Sequence, residues 1–170
     1  MKLLSFCLLF FLFVPWANAT NVRQKYVGRN GCAPEFKSQL NHSGIRLDKN
    51  QHARLEAHEF STGTVLVIVQ YNDNTDQCGT VRDAIESQPT DTSFVWDCVD
   101  KRNPSAVVVG TWPSGQQSTS GPAVEAWRID LKQLKFDRLT GSVSCSAPSY
   151  AGTDEGDDLA TWARKRAIKP

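Results

Sequence analysis

Four cysteines constrain this chain more than any other feature. Cys32, Cys78, Cys98 and Cys145 are spread along its length, and no two form a C-x-x-C pair. That spacing argues against a zinc site and against a thioredoxin-type redox motif. A fifth cysteine, Cys7, lies inside an apolar run from Leu3 to Val14 that follows Lys2 and precedes Pro15 and the small-residue triplet Ala17-Asn18-Ala19. This is the pattern of a secretory signal cleaved after Ala19, and its apolar run of about 12 residues is short against the roughly 20 that a membrane span needs. Cys7 sits within the run and behind the bulky Phe6, so it does not read as a lipid-attachment cysteine. The expected organisation is a cleaved signal over 1–19 and a single disulfide-bonded domain over 20–170, with no stable membrane anchor once the signal is gone.

An even number of cysteines in an exported chain predicts two disulfides and an oxidising compartment, the periplasm first and the extracellular medium second. Three pairings are open. Cys32–Cys78 with Cys98–Cys145 is preferred, because the second would join two predicted sheet strands and the first two loop regions. Each would stabilise the fold by about 4 kcal/mol on the chain-entropy argument. The 19 basic and 18 acidic residues balance once Lys2 leaves with the signal. A neutral domain has no global attraction for nucleic acid or anionic membrane.

Hydrophobic periodicity then predicts an α+β fold: a mainly antiparallel, twisted sheet of about five to seven strands with two or three helices. Thr20 to Gly31 is polar, with Val22, Tyr26 and Val27 as anchors and Asn30-Gly31 as a turn. Pro34 suits the start of a short helix that places Phe36 and Leu40 on one face and ends before Gly44. Ala53, Leu55 and Ala57 alternate with Arg54, Glu56 and His58, and a turn at Ser61-Thr62-Gly63 leads into the apolar run Thr64–Tyr71. Together these read as a hairpin whose second strand is covered on both faces. Thr80 is read as the cap of a helix through Ser87, with Val81, Ala84 and Ile85 as its apolar face.

Thr92 to Cys145 holds Trp96, Trp112 and Trp127 and the clearest alternation. Phe94, Trp96 and Cys98 are expected on one strand face. Strands follow over Ser105–Trp112, Val124–Leu131 and Leu134–Leu139, and Val143 and Cys145 lie beyond a break at Gly141. At the C-terminus Thr153 is the expected cap of a helix with Asp154, Glu155, Asp157 and Asp158 in its first turns and Arg164, Lys165, Arg166 and Lys169 in its last, an order that suits the macrodipole. Leu159, Trp162 and Ala163 would dock this helix on the sheet.

No motif here reaches the specificity of a catalytic signature. His52 and His58 fall on one polar strand side about 20 Å apart, too far to share a metal, and are expected on a solvated face. No metal and no cofactor are expected. Asn41-His42-Ser43 matches a glycosylation sequon, of consequence only in a eukaryotic secretory pathway. The Asp154–Asp158 cluster lacks the spacing of an EF-hand loop, and helix capping accounts for it. There is no G-x-S-x-G, and nothing marks a histidine and an acid for Ser114 or Ser120. Pairing of the four cysteines leaves no thiol nucleophile.

The feature that folding does not explain is Pro113-Ser-Gly-Gln-Gln-Ser-Thr-Ser-Gly-Pro122, a polar segment flanked by prolines with Trp112 and Trp127 at its base. Read as a contact loop, it offers adaptable hydrogen bonds from Ser114, Gln116, Gln117 and Ser118 and an aromatic anchor from Trp112 and Trp127. The function expected is protein–protein contact by a non-enzymatic exported protein, in the manner of an inhibitor or immunity-type protein against an envelope-acting enzyme. The alternatives are a small periplasmic hydrolase assembled from dispersed acidic and histidine residues, and a structural envelope component.

Overall fold

The computed structural model describes residues 17–37, 39–48, 50–72, 77–87, 92–113, 120–146 and 158–168. Its framework is two antiparallel sheets where the sequence suggested one. The first holds β1 (Asn41–Asp48), β2 (Ala53–Phe60), β3 (Gly63–Gln70) and β4 (Thr80–Ser87) as a simple meander. The second is built from β5 (Thr92–Asp100), β6 (Val108–Pro113), β7 (Ser120–Pro122), β8 (Ala126–Asp130), β9 (Lys135–Arg138) and β10 (Val143–Ser146). Its spatial order is β7-β10-β5-β6-β8-β9. Two helices, α1 (Ala17–Tyr26) and α2 (Leu159–Ile168), complete the described chain.

Side chains from both sheets share one buried cluster: Leu55, Leu66, Ile68 and Ile85 from the first meet Val109, Trp127, Ile129 and Phe136 from the second. Leu159, Ala160 and Ala163 of α2 join them. Each large aliphatic side chain so buried stabilises the fold by about 1.5–3 kcal/mol. The other face of the first sheet, with Val65, Val67, Val69 and Val81, lies under Val22 and Tyr26 of α1 and under Phe36. β3 is thus covered on both sides, as its unbroken apolar run requires.

The second sheet has its own outer cluster: Val95, Cys98, Val108, Trp112, Ala126, Val143 and Cys145. The chain from Ser120 to Asp130 folds over it. Its first residues pair with β10, Ala123 N–H donates to the Val143 carbonyl, Val124 N–H donates to the Thr111 carbonyl, and Ala126–Arg128 pair with β6. Cys98 and Cys145 face each other directly in the β5–β10 register and are bonded, as Cys32 and Cys78 are, in the preferred pairing. Gly110 of β6 runs against this bridge. A Cβ there would lie 2.8 Å from Cys145 Sγ and 3.0 Å from Cys98 Sγ.

Several expectations are corrected. Thr80–Ser87 is a strand, not a helix. The register jumps from Ile68↔Asp83 to Val69↔Val81, so Arg82 is an extra residue, and this bulge puts Val81 and Ala84 on one face with Ile85 on the other. A bulged strand therefore reproduced helical spacing. A second bulge, between Val95 and Cys98, places Cys98 with Val95 on the outer face while Phe94 and Trp96 pack toward the inter-sheet core.

Pro34 opens only a 3-10 turn, Pro34–Phe36; Phe36 is buried but Leu40 is 71 % exposed, and the chain then enters β1, a strand the polar Asn41–Gly44 concealed. Val22 and Tyr26 are anchors, yet on a helix, and Val27 is exposed. In α2 the cap is Asp158, whose Oδ1 accepts from Thr161 N–H at 2.7 Å, and Ala160 takes the buried place expected of the half-buried Trp162. Residues 151–157, with the expected cap Thr153, and residues 1–16 of the expected signal lie outside the described residues.

Candidate functional site

Two places carry candidate chemistry. The first is the 113–122 segment. Pro113 ends β6 opposite Thr92, and Ser120–Pro122 form β7, an edge strand bonded to β10, so both ends of the segment are held in one disulfide-stapled sheet. Ser114, Gln116, Gln117 and Ser118 lie outside the described residues. Trp112 is 5 % exposed in the outer cluster and Trp127 is 7 % exposed in the inter-sheet core, so the structure places the two rings on opposite faces of the sheet as packing residues.

The second place is on the outer face of β2, where alternation suggested a solvated surface. Glu56 and His58 are instead buried, at 6 % and 3 % exposure. His58 lies 4.5 Å from the Phe36 ring, and its Nδ1 is 2.5 Å from Gln39 Oε1. Its Nε2 is 3.5 Å from Glu56 Oε2. The hydroxyl of Tyr71, just past β3, donates to Glu56 Oε1 at 2.5 Å, and the half-exposed Arg54 brings its Nε to 3.8 Å from the same oxygen. Phe36 and Gln39 lie against His58 and Tyr71 against Glu56, neighbours distant in sequence that period-two reading of β2 alone does not reveal. The aromatic Phe36 ahead of a polar strand was the available signal. His52, by contrast, is exposed in the β1–β2 connection with a positive φ of 50°.

Arg166, Asp97 and Asp130 make structural contacts. Arg166 of α2 lies 3.4 Å from Asp97 of β5 and 4.4 Å from the Trp162 ring centre, fastening the end of the helix. Burial raises the Asp97 carboxyl above its ordinary value, with Arg166 offsetting only part of that, and burial likewise lowers Arg166. In the β8–β9 turn, backbone N–H groups of Gln133 and Lys132 lower the exposed Asp130.

The class the structure defines is a sheet-rich protein of mostly antiparallel strands with few helices and two disulfides, which fit an oxidising environment. No helix among the described residues is long and apolar enough to cross a membrane. The chain matches no family model, no curated protein and no solved structure.

Proposed function

We propose that the protein is an exported binding domain that works without catalysis, contacting a partner protein through the 113–122 segment, as an inhibitor or immunity-type protein of the periplasm would. The observation that supports this reading is the mounting of that segment. A polar stretch rich in Ser, Gly and Gln is anchored at Pro113 and at Ser120–Pro122 in the same sheet, beside the Cys98–Cys145 bridge. Binding residues held on a loop by a rigid scaffold keep their adaptability while losing little scaffold entropy. With Trp112 and Trp127 committed to the core, the contact falls to Ser114, Gln116, Gln117 and Ser118.

The enzymatic alternative has one observation in its favour, the meeting of Glu56 with His58. Burial of both side chains keeps a substrate from reaching them in this arrangement.

A photo-crosslinking residue introduced at Gln116, in cells exporting the protein, tests the proposal against the same residue at the exposed Lys132. A discrete adduct from position 116 alone is expected. Identical adducts from both positions, or none from 116, would overturn the contact-loop reading.

A further inference from the structure

We propose that the Cys32–Cys78 bridge is a thiol–disulfide exchange site, opened and closed through Cys32 by a dithiol oxidoreductase while the protein stays folded, and that Cys98–Cys145 is a permanent staple. This is independent of the contact-loop reading and rests on the different settings of the two bridges. Cys98 is 0 % and Cys145 1 % exposed, packed in the outer cluster with Val95, Val108, Trp112 and Val143. The Gly110 backbone runs so close that a Cβ there would meet both sulfurs. A thiolate has to approach a sulfur in line with the S–S bond, so this bridge is reached only when the sheet opens. Cys32, by contrast, is exposed, in the turn between α1 and Pro34–Phe36, and Cys78 is half-buried. Exposed bridges are the exchangeable ones and buried bridges the resistant ones.

The backbone around Cys32 is held without the bridge. Gly28 N–H donates to the Val81 carbonyl at 2.8 Å, Val81 N–H to the Arg29 carbonyl at 2.9 Å, and Gly31 N–H to the Gly79 carbonyl at 3.2 Å. Asn30 pairs with Thr80 as an isolated antiparallel bridge. Gly31 permits the close approach, since a Cβ on it would lie 2.2 Å from the Cys78 carbonyl oxygen. On the other side of Cys32, Phe36 is buried with Val65, Val67 and Val69, its ring 5.3 Å from that of Tyr26. Both flanks of Cys32 therefore stay docked when the S–S bond breaks. The two thiols remain side by side, and their re-oxidation is intramolecular and fast.

Exchange falls on Cys32, the more exposed partner. The thiolate of the reductant bonds to Cys32 Sγ, the S–S bond breaks, and Cys78 Sγ leaves with the electron pair and takes a proton from solvent. The reductant's second thiol then loses its proton and attacks the reductant sulfur of this mixed disulfide, releasing Cys32 as a thiolate that is protonated in turn. Two electrons and two protons pass to the bridge, and the dithiol becomes a disulfide. The reverse sequence, with an oxidised partner, closes the bridge.

The test uses the whole protein with both disulfides formed, under native conditions. Dithiothreitol is the small probe, and thioredoxin with its resolving cysteine replaced by alanine is the trap for a mixed disulfide; thiols are alkylated and mapped by mass. Cys32 and Cys78 should be labelled at least about tenfold faster than Cys98 and Cys145. The far-ultraviolet circular dichroism should be unchanged at that stage, and the two thiols should re-pair with each other when the reductant is removed. The trap should be found on Cys32. Opening of both bridges together, loss of the dichroism as Cys32–Cys78 opens, or a trap adduct on any other cysteine or on none would each overturn the site.

Discussion

Arg23 of α1 grips Asp83 of β4 from two sides, Nε to Oδ1 at 2.8 Å and Nη2 to Oδ2 at 2.9 Å, and the same Nη2 donates to the Phe136 carbonyl of β9 at 2.8 Å. Asp83 Oδ2 in turn accepts from the Phe136 N–H at 2.8 Å, and Oδ1 accepts from Ala84 N–H at 2.9 Å. One buried carboxylate thus joins the helix, the edge of the first sheet and the edge of the second.

Replacing Asp83 by Ala leaves a guanidinium and buried backbone donors without their acceptor. The expected cost is about 3–5 kcal/mol in urea unfolding, the range for breaking a buried charged pair. Arg23→Gln, at the half-exposed end, should cost less because the backbone donors still satisfy Asp83. A loss below about 0.5 kcal/mol for D83A, the scale of an ordinary surface change, would show that the sheets do not depend on this junction.

Gly110→Ala should destabilise the oxidised protein by about 1–3 kcal/mol, because its methyl group meets both sulfurs of the Cys98–Cys145 bridge. In a C98A/C145A background the sulfurs are gone and the added methyl should cost clearly less. Equal penalties in the two backgrounds, measured as a double-mutant cycle, would mean that the crowding comes from elsewhere.

Leu159 and Trp162 separate two ways of docking α2. Leu159 is buried in the inter-sheet core and L159A should cost about 2–5 kcal/mol. W162A should cost less, since the ring is half buried and shared with Arg166. Reversal of that order in thermal or urea unfolding would place the tryptophan, not the leucine, at the anchor.

Asp130 and Asp97 respond to pH in opposite senses. The lowered Asp130 contributes stability that is present above its unfolded value of 3.8 and is lost as pH falls through the folded value. D130N should therefore unfold more readily than wild type near neutrality and converge with it in acid. The raised Asp97 favours the fold fully below 3.8 and loses that contribution as pH rises through its folded value. D97N should lack this decline while weakening the contact with Arg166. Urea midpoints collected between about pH 3 and 7 separate the two; parallel curves for wild type and D130N would contradict the first assignment.

Where local pattern and burial coincide, the fold is readable from the chain. Thr64–Tyr71 announces a doubly covered strand because both of its faces are apolar, and Trp127, Ile129 and Leu131 alternate with Ala126, Arg128 and Asp130 as their strand requires. Bulges break this correspondence: one added residue at Arg82 turns a period of two into a helix-like three and four. β1 is hidden because it is an edge strand in which Asn41, Ser43 and Gly44 are exposed and form no apolar face to betray it. Glu56 and His58 read as solvated because their neighbours, Tyr71 at Glu56 and Phe36 and Gln39 at His58, are brought there only by tertiary packing. The division into two sheets is likewise set by contacts between remote strands and not by any local signal.

The last strand among the described residues, β10, lies between β7 and β5 in the second sheet. That sheet cannot be completed until residues 143–146 arrive, however early the hairpins before them form. For a chain oxidised as it emerges N-terminus first, this imposes an order on oxidation. Cys32 and Cys78 both emerge ahead of Cys98 and can be joined first, after which Cys98 waits as a lone thiol for Cys145. Because neighbours in the sequence are partners in the fold, bridges made in order of emergence are already the native ones, and oxidation in that order requires no reshuffling of pairs.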